Sequence, residues 1–216
     1  MDVTLTPPKP RLRGRIHQVA FWVSIPSGLL LVLLASGPAA TAVAVIYAVS
    51  LSAVFGSSAA YHRGTWSEPA RRWMRRLDHS MIFVLIAGSY TPVSVLVLDG
   101  TWEAVLLSFV WTGAAVGVTL KMVHPEGLSV TSAILYMGLG WLAMIALPQL
   151  LRGMTTAEAI LMISGGLLYT AGGIVFAGKR PDPRPATFGY HEIWHGFMVA
   201  AATCHYAMIL LVLRSA

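Results

Sequence analysis

Residues 17–61 read HQVAFWVSIPSGLLLVLLASGPAATAVAVIYAVSLSAVFGSSAAY and contain no Asp, Glu, Lys or Arg. A helix needs about 20 predominantly apolar residues to cross the hydrocarbon core of a bilayer, and this stretch supplies two such runs, 17–36 and 41–61. A secretory signal peptide has an apolar core of only about 7–15 residues. Because the first run is longer and the second follows at once, we interpret both as membrane-spanning helices.

Five further runs of the same kind follow along the chain, at 79–98, 103–123, 130–150, 157–177 and 192–213. Of the 216 residues, 56% are hydrophobic and 11% are charged, whereas soluble domains carry about 25% charged residues. The composition therefore excludes an ordinary water-soluble globule. We predict an all-α membrane protein in which residues 1–216 form a single seven-transmembrane helix bundle.

The basic residues are distributed unequally between the two ends of these predicted helices. The N-terminal segment carries four, the second connection five, the fourth one and the sixth three, which makes 13 of the 15 Lys and Arg. Only Arg152 and Arg214 fall on the opposite side. Cytoplasmic loops of membrane proteins are enriched in Lys and Arg. We therefore predict a cytoplasmic N-terminus and a C-terminus on the outer side.

Residues 63–77 form a basic cytoplasmic segment that we expect to lie at the membrane interface. Trp73, Met74 and Leu77 share one face of a helix there, opposite Arg71, Arg72, Arg75 and Arg76. Such a helix suits anionic lipid headgroups, and a loop that only sets the topology is the alternative. The net charge of +6 does not indicate nucleic-acid binding, because the basic residues are spread over short loops and form no binding module.

The seventh predicted span opens with His191-Glu192-Ile193-Trp194-His195. Histidines at positions i and i+4 lie on one face of a helix, about one turn apart, so both imidazoles can reach one zinc ion. The five residues also match the H-E-x-x-H pattern of zinc proteases, in which the glutamate is the general base. Because the chain has a single cysteine, a metal site here must use His, Asp or Glu.

The predicted topology brings further polar residues to the same level of the membrane. The second span ends at His62, and the third begins beside Asp78. We therefore predict a Zn²⁺ site with His62, His191 and His195 as ligands, because three histidines with an open fourth position are typical of catalytic zinc. Asp78 is the expected catalytic carboxylate. Ser58, one turn before the first histidine, is expected either to bond a ligand or a water or to pack within its own helix.

The remaining histidines are weaker candidates. His17, His79 and His124 fall at cytoplasmic ends of predicted spans, where interfacial histidines are common, and we expect His79 to be nearest the site because it follows the catalytic carboxylate. His205 and Cys204 lie near the middle of the seventh span, where we expect them to pack against other helices.

An intramembrane zinc protease is a rival interpretation, in which a distant aspartate joins the H-E-x-x-H histidines. Asp99 is superficially such an aspartate, but it is expected at the outer end of the third span, about 30 Å from His191. Asp78 lies at the inner end and can reach the metal. Glu192 points about 100° away from its neighbour around the helix, so we favour Asp78 as the base.

The order Ser58-x-x-x-His62, Asp78 and His191-x-x-x-His195 in a compact seven-span chain resembles the hemolysin III branch of the progestin and adipoQ receptor family. Residues Gly88-Ser89-Tyr90-Thr91-Pro92 are similar to a further signature of that branch. The related adiponectin receptors have seven transmembrane helices, a cytoplasmic N-terminus and a zinc site held by three histidines of the second and seventh helices. The resemblance implies the same role for the three histidines here, with the aspartate associated with water at the metal and the serine beside the first histidine.

The wider superfamily includes alkaline ceramidases, so the resemblance implies zinc-dependent hydrolysis of a lipid amide or ester, with a sphingolipid-like or acyl-amide substrate. We do not expect a protein-hormone receptor, since no long soluble domain precedes the first span. The minimal loops suit the plasma (inner) membrane of a bacterium. A zinc-stabilised sensor or lipid-homeostasis protein without turnover is the alternative, and a pore-forming cytolysin is less favoured because a secreted toxin needs a soluble form.

Overall fold

The computed structural model describes residues 10–124 and 129–215, and within those ranges the chain forms helices and contains no β-strand. Seven segments are long and apolar enough to cross a membrane, which confirms the predicted fold. The helices are α1 (Arg15–Leu34), α2 (Gly37–Arg63), α3 (Glu68–Val97), α4 (Thr101–Val123), α5 (Ser129–Gly140), α6 (Leu147–Gly153), α7 (Thr156–Gly178) and α8 (Tyr190–Ser215).

The fifth span is broken near its middle, whereas the sequence predicts one continuous helix. After α5 ends at Gly140, a 3-10 helix (Leu142–Ala146) leads into α6. Pro148 has no backbone N–H and its ring clashes with the carbonyl four residues earlier, which disfavours a continuous α-helix. The Tyr90 hydroxyl of α3 donates to the carbonyl of Gly140 and accepts from the amide of Ala143, both at 2.8 Å. A neighbouring helix therefore satisfies two backbone groups at the break.

The basic segment predicted for the membrane interface is the beginning of α3. Residues 68–77 form its first turns, and the same helix continues through Pro92 to its end at Val97. Near the basic end, the Arg76 guanidinium lies over the Trp73 ring, 4.7 Å from the ring centre. The segment is thus continuous with the third span, and its contact with lipid headgroups stays a prediction.

Helix α8 holds a central place, because it packs against α1, α2, α3 and α7. Tyr47 of α2 and Ile209 of α8 are fully buried in the shared core. On one side of the bundle the end of α2 meets the beginnings of α1, α3 and α8. The segment before α1 joins them there, since the amides of Arg11 and Leu12 donate to the carbonyls of Ala186 and Thr187 at 3.1 and 3.2 Å.

Candidate metal centre

Three histidines from two helices meet at this side of the bundle. His62 lies in the last turn of α2, and His191 and His195 lie in the first two turns of α8. One ring nitrogen from each falls within 4.8 Å of the other two. The ring centres are 4.7 Å apart for the two α8 histidines, and His62 lies 4.9 and 5.2 Å from them. The structure therefore brings together the three predicted ligands.

Local backbone geometry explains why these helix ends can meet. Gly14, just before α1, has φ +78°, a left-handed conformation that side chains disfavour. A Cβ atom on Gly14 would lie 2.6 Å from the Cβ of His62. Only glycine thus lets the start of α1 approach the end of α2 so closely. The sequence shows this glycine between Arg13 and Arg15, where nothing marks it as part of a site.

The predicted carboxylate lies beside the histidines. Oδ2 of Asp78 is 4.0 Å from Nε2 of His62 and 3.5 Å from Nδ1 of His79. His79 is held by its own helix, since its Nδ1–H donates to the carbonyl of Arg75 at 2.7 Å. The Ser58 side chain on α2 faces Asp78 on α3, so the serine and the aspartate predicted for the site are neighbours.

His17 belongs to this cluster, whereas the sequence suggested an interfacial position. Its ring stacks on His195, with ring centres 3.7 Å apart and planes 10° from parallel. Its Nδ1 lies 2.8 Å from Oγ of Ser58. The side chain is buried. His17 and Ser58 are 41 residues apart, and no sequence motif links them. Their proximity follows only from the packing of α1 against α2 and α8.

Glu192, the glutamate of the H-E-x-x-H pattern, binds two groups that are not part of the histidine cluster. Its Oε1 accepts from Nε of Arg13 at 2.5 Å, and its Oε2 accepts from the amide of Gly189 at 2.8 Å. The side chain is fully buried. Glu192 therefore fastens the segment before α1 and the loop before α8 to the start of α8.

The other candidates lie elsewhere. Asp99 follows the far end of α3, 21 residues beyond Asp78 and therefore about 30 Å along the helix axis, so it cannot share a metal with these histidines. His124 caps the end of α4 and is exposed. The ring centres of His205 and Tyr169 are 5.5 Å apart, and Nε2 of His205 is 3.3 Å from the carbonyl oxygen of Met162. His205 therefore packs against α7, as expected.

The chemistry of the cluster fits a metal ion. Three imidazoles present one nitrogen each toward a shared centre, and two of the three side chains are buried. Within the described ranges, the buried Nδ1 of His195 has no hydrogen-bond partner. A buried polar atom without a partner is costly unless a ligand binds it. Imidazole nitrogens suit Zn, Cu, Fe and Ni, so the three residues can hold one such ion.

Comparisons with known proteins indicate the family of the chain. A family model described as "Haemolysin-III related" matches residues 5–206. The chain is 32% identical to the Hemolysin-3 homolog of Bacillus subtilis (strain 168), over 90% of this chain and 89% of that protein. It is 31% identical to Hemolysin-3 of Bacillus cereus, over 90% and 87% of the two chains.

A more distant relative is the human monocyte to macrophage differentiation factor, which is 27% identical over 76% of this chain and 67% of that protein. The match of the family model extends from before α1 into α8 and so includes all three histidines. Together with the seven apolar helices, these similarities identify a multi-pass membrane protein. The chain belongs to the haemolysin-III related family, the hemolysin III branch of the progestin and adipoQ receptor family.

Proposed function

We propose that His62, His191 and His195 hold a zinc ion and that the protein is a zinc-dependent hydrolase of amide or ester bonds in membrane lipids, a ceramidase-like activity. One observation carries the proposal: three imidazole nitrogens lie within 4.8 Å of one another, and a carboxylate oxygen of Asp78 is 4.0 Å from the first of these histidines. Catalytic zinc sites commonly combine three protein ligands with an open position.

A bound zinc ion would supply a Lewis acid that polarises a carbonyl and activates water at neutral pH. Around it, the protein's own groups have separate tasks. Oδ2 of Asp78 accepts the proton that the attacking water loses and returns it to the leaving amine or alcohol. The hydroxyl of Ser58 orients this carboxylate. The burial of His62 and His195 keeps bulk water away from the reacting bond.

A lipid substrate is supported by the surface next to the site. An apolar groove of about 870 Å³ lies between α1, α2 and α3, and it is open to the outside of the helix bundle. Ser57 and Ala60 line it on α2, and Leu77 lines it on α3; these residues adjoin Ser58 and Asp78 in sequence. We infer that the acyl chain of the substrate occupies this groove while the bond to be cleaved lies at the level of the histidines.

Metal analysis of the purified protein tests the site. We expect about one zinc ion per wild-type chain and a loss of most of it in His191→Ala, because two imidazoles hold zinc far less tightly than three. His124→Ala is the matched control, since that histidine is exposed and lies at the end of another helix. Wild-type protein without zinc, or zinc content unchanged in His191→Ala, would contradict the proposed metal site.

Asp78→Asn separates catalysis from binding. Asparagine keeps the size of the side chain but cannot accept the proton, so fatty-acid release from a panel of sphingolipids and phospholipids should fall by about 10²–10⁴-fold while zinc content is retained. Asp99→Asn, at the far end of the same helix, is the control and should keep wild-type activity. Equal fatty-acid release by Asp78→Asn and wild type would rule out the assigned role.

A metal clamp without turnover is the second candidate function. The observation in its favour is that the three nitrogens come from both α2 and α8, so a bound ion would join the two helices in a sensor or lipid-homeostasis protein. No fatty-acid release from any lipid by the zinc-loaded wild type would favour this function over hydrolysis.

A further inference from the structure

We propose that His17 is a positioning residue of the metal centre, a fourth histidine that holds Ser58 and the ring of His195 in place without being a ligand itself. This inference rests on the proposed metal site and goes beyond its three ligands and its carboxylate. Two contacts carry it: the 2.8 Å approach of His17 Nδ1 to Ser58 Oγ and the stacking of the His17 ring on His195 at 3.7 Å.

The first contact joins α1 to α2 beside the carboxylate. Nδ1 of His17 and Oγ of Ser58 lie 2.8 Å apart, a hydrogen bond that either group can donate. The Ser58 side chain in turn faces Asp78 of α3. We infer that Nδ1–H of His17 donates to Ser58, which leaves the hydroxyl proton of Ser58 to bond the carboxylate. Removing the histidine would free the serine to turn toward its own helix and away from Asp78.

The second contact acts on a ligand directly. With its plane only 10° from that of His195, the His17 ring prevents His195 from rotating about its own side-chain bonds. His17 is 3% exposed and also lies 5.1 Å from the Phe55 ring centre, so it has little room to move. Groups that orient metal ligands typically contribute 10- to 100-fold to metal affinity, and His17 has the contacts of such a group.

Three substitutions separate the two contacts. His17→Ala removes both, His17→Phe keeps a ring to stack but cannot donate to Ser58, and His17→Asn keeps an amide N–H near the position of Nδ1 but has no ring. The readout is Co²⁺ affinity in detergent, measured by competition with a chelator, together with the visible absorption of the bound Co²⁺, which reports its coordination geometry.

We expect a 10- to 100-fold loss of Co²⁺ affinity in His17→Ala, with a changed absorption spectrum and one Co²⁺ still bound at saturation. The losses in His17→Phe and His17→Asn should be smaller, because each keeps one contact. Wild-type affinity and spectrum in His17→Phe would overturn the proposal, since the ring would then only fill space. Because phenylalanine preserves the packed volume, this variant remains informative if His17→Ala fails to fold.

His205→Ala is the matched control, because it truncates a half-buried histidine of α8 that contacts α7 and lies outside the cluster. It should keep the Co²⁺ affinity of the wild type even if it lowers the melting temperature. An equal loss of affinity in His205→Ala and His17→Ala would overturn the proposal in favour of general destabilisation. Failure of the wild type itself to bind Co²⁺ or Zn²⁺ would instead remove the metal site on which the inference rests.

Discussion

At the scale of single residues, Glu192 shows how a motif and a tertiary contact can assign different roles to one side chain. In the pattern H-E-x-x-H the glutamate of a zinc protease acts as a base. Here both carboxylate oxygens have partners, Arg13 and the amide of Gly189. Hydrogen bonds between a guanidinium and a carboxylate are among the stronger ones in proteins. Its role is to hold the segment before α1 against α8.

We therefore predict that Glu192→Gln retains zinc but destabilises the protein. The glutamine oxygen can still accept from Gly189, while the charged pair with Arg13 is lost. A hydrogen bond to a charged group is worth about 1.5–3 kcal/mol, and partial exposure of Arg13 reduces that value, so we expect a loss of about 1–2 kcal/mol in detergent melting curves. Glu68→Gln, at the exposed start of α3, should leave stability unchanged. Normal stability with abolished hydrolysis in Glu192→Gln would instead identify a catalytic base.

At the scale of helices, α7 and α8 approach each other through small residues. Transmembrane helices lack a hydrophobic driving force between them and associate by close packing of Gly, Ala and Ser. A Cβ atom on Gly165 would overlap the ring of His205 and lie 3.3 Å from the carbonyl of Ala201. The next residue, Gly166, would meet nothing within 4 Å. The two neighbouring glycines thus differ in tertiary packing, although the sequence does not distinguish them.

This difference predicts opposite effects of the same substitution. Gly165→Ala should lower stability by about 1–3 kcal/mol, the usual cost of overpacking, because the His205 ring would have to shift from its place against the carbonyl of Met162. Gly166→Ala should be neutral or slightly stabilising, since alanine favours a helix by up to about 1 kcal/mol over glycine. Thermal unfolding in detergent compares the two, and equal melting temperatures would contradict the packing of α7 on α8.

At the scale of the whole molecule, the distribution of basic residues agrees with the alternation of the seven spans. The N-terminal segment, the loop between α2 and α3 and the loop between α7 and α8 lie at the same end of the bundle as the three histidines. Basic residues are enriched on the cytoplasmic side of membrane proteins. The prediction that this end is cytoplasmic therefore also places the metal centre toward the inner leaflet.

Labelling of single cysteines tests this orientation. Cys204 is the only cysteine, so Cys204→Ser provides a cysteine-free background. Thr65→Cys lies in the exposed loop between α2 and α3, and Ser36→Cys lies in the exposed turn between α1 and α2. A membrane-impermeant maleimide should label Ser36→Cys in intact cells and Thr65→Cys only after permeabilisation. The reverse pattern would invert the topology and place the histidines toward the outer leaflet.

The sequence by itself determined the number and type of the spans and the three histidines that the structure brings together. Both are consequences of local rules. A bilayer requires about 20 consecutive apolar residues for each crossing, and the i, i+4 spacing of His191 and His195 places them on one face of any helix. Because successive short loops lie on opposite sides of the membrane, the end of α2 and the beginnings of α3 and α8 lie on the same side.

Only the tertiary structure decided which other residues surround the histidines. His17 stacks on His195 and Gly14 lies against His62, and Arg13 pairs with Glu192 across 179 positions of the chain. No local pattern encodes such contacts. At the break in the fifth span, the backbone groups of Gly140 and Ala143 likewise bond the Tyr90 hydroxyl of α3. In each case the physical reason is the same: these residues are defined by the close packing of one helix against another, which depends on the shapes of both.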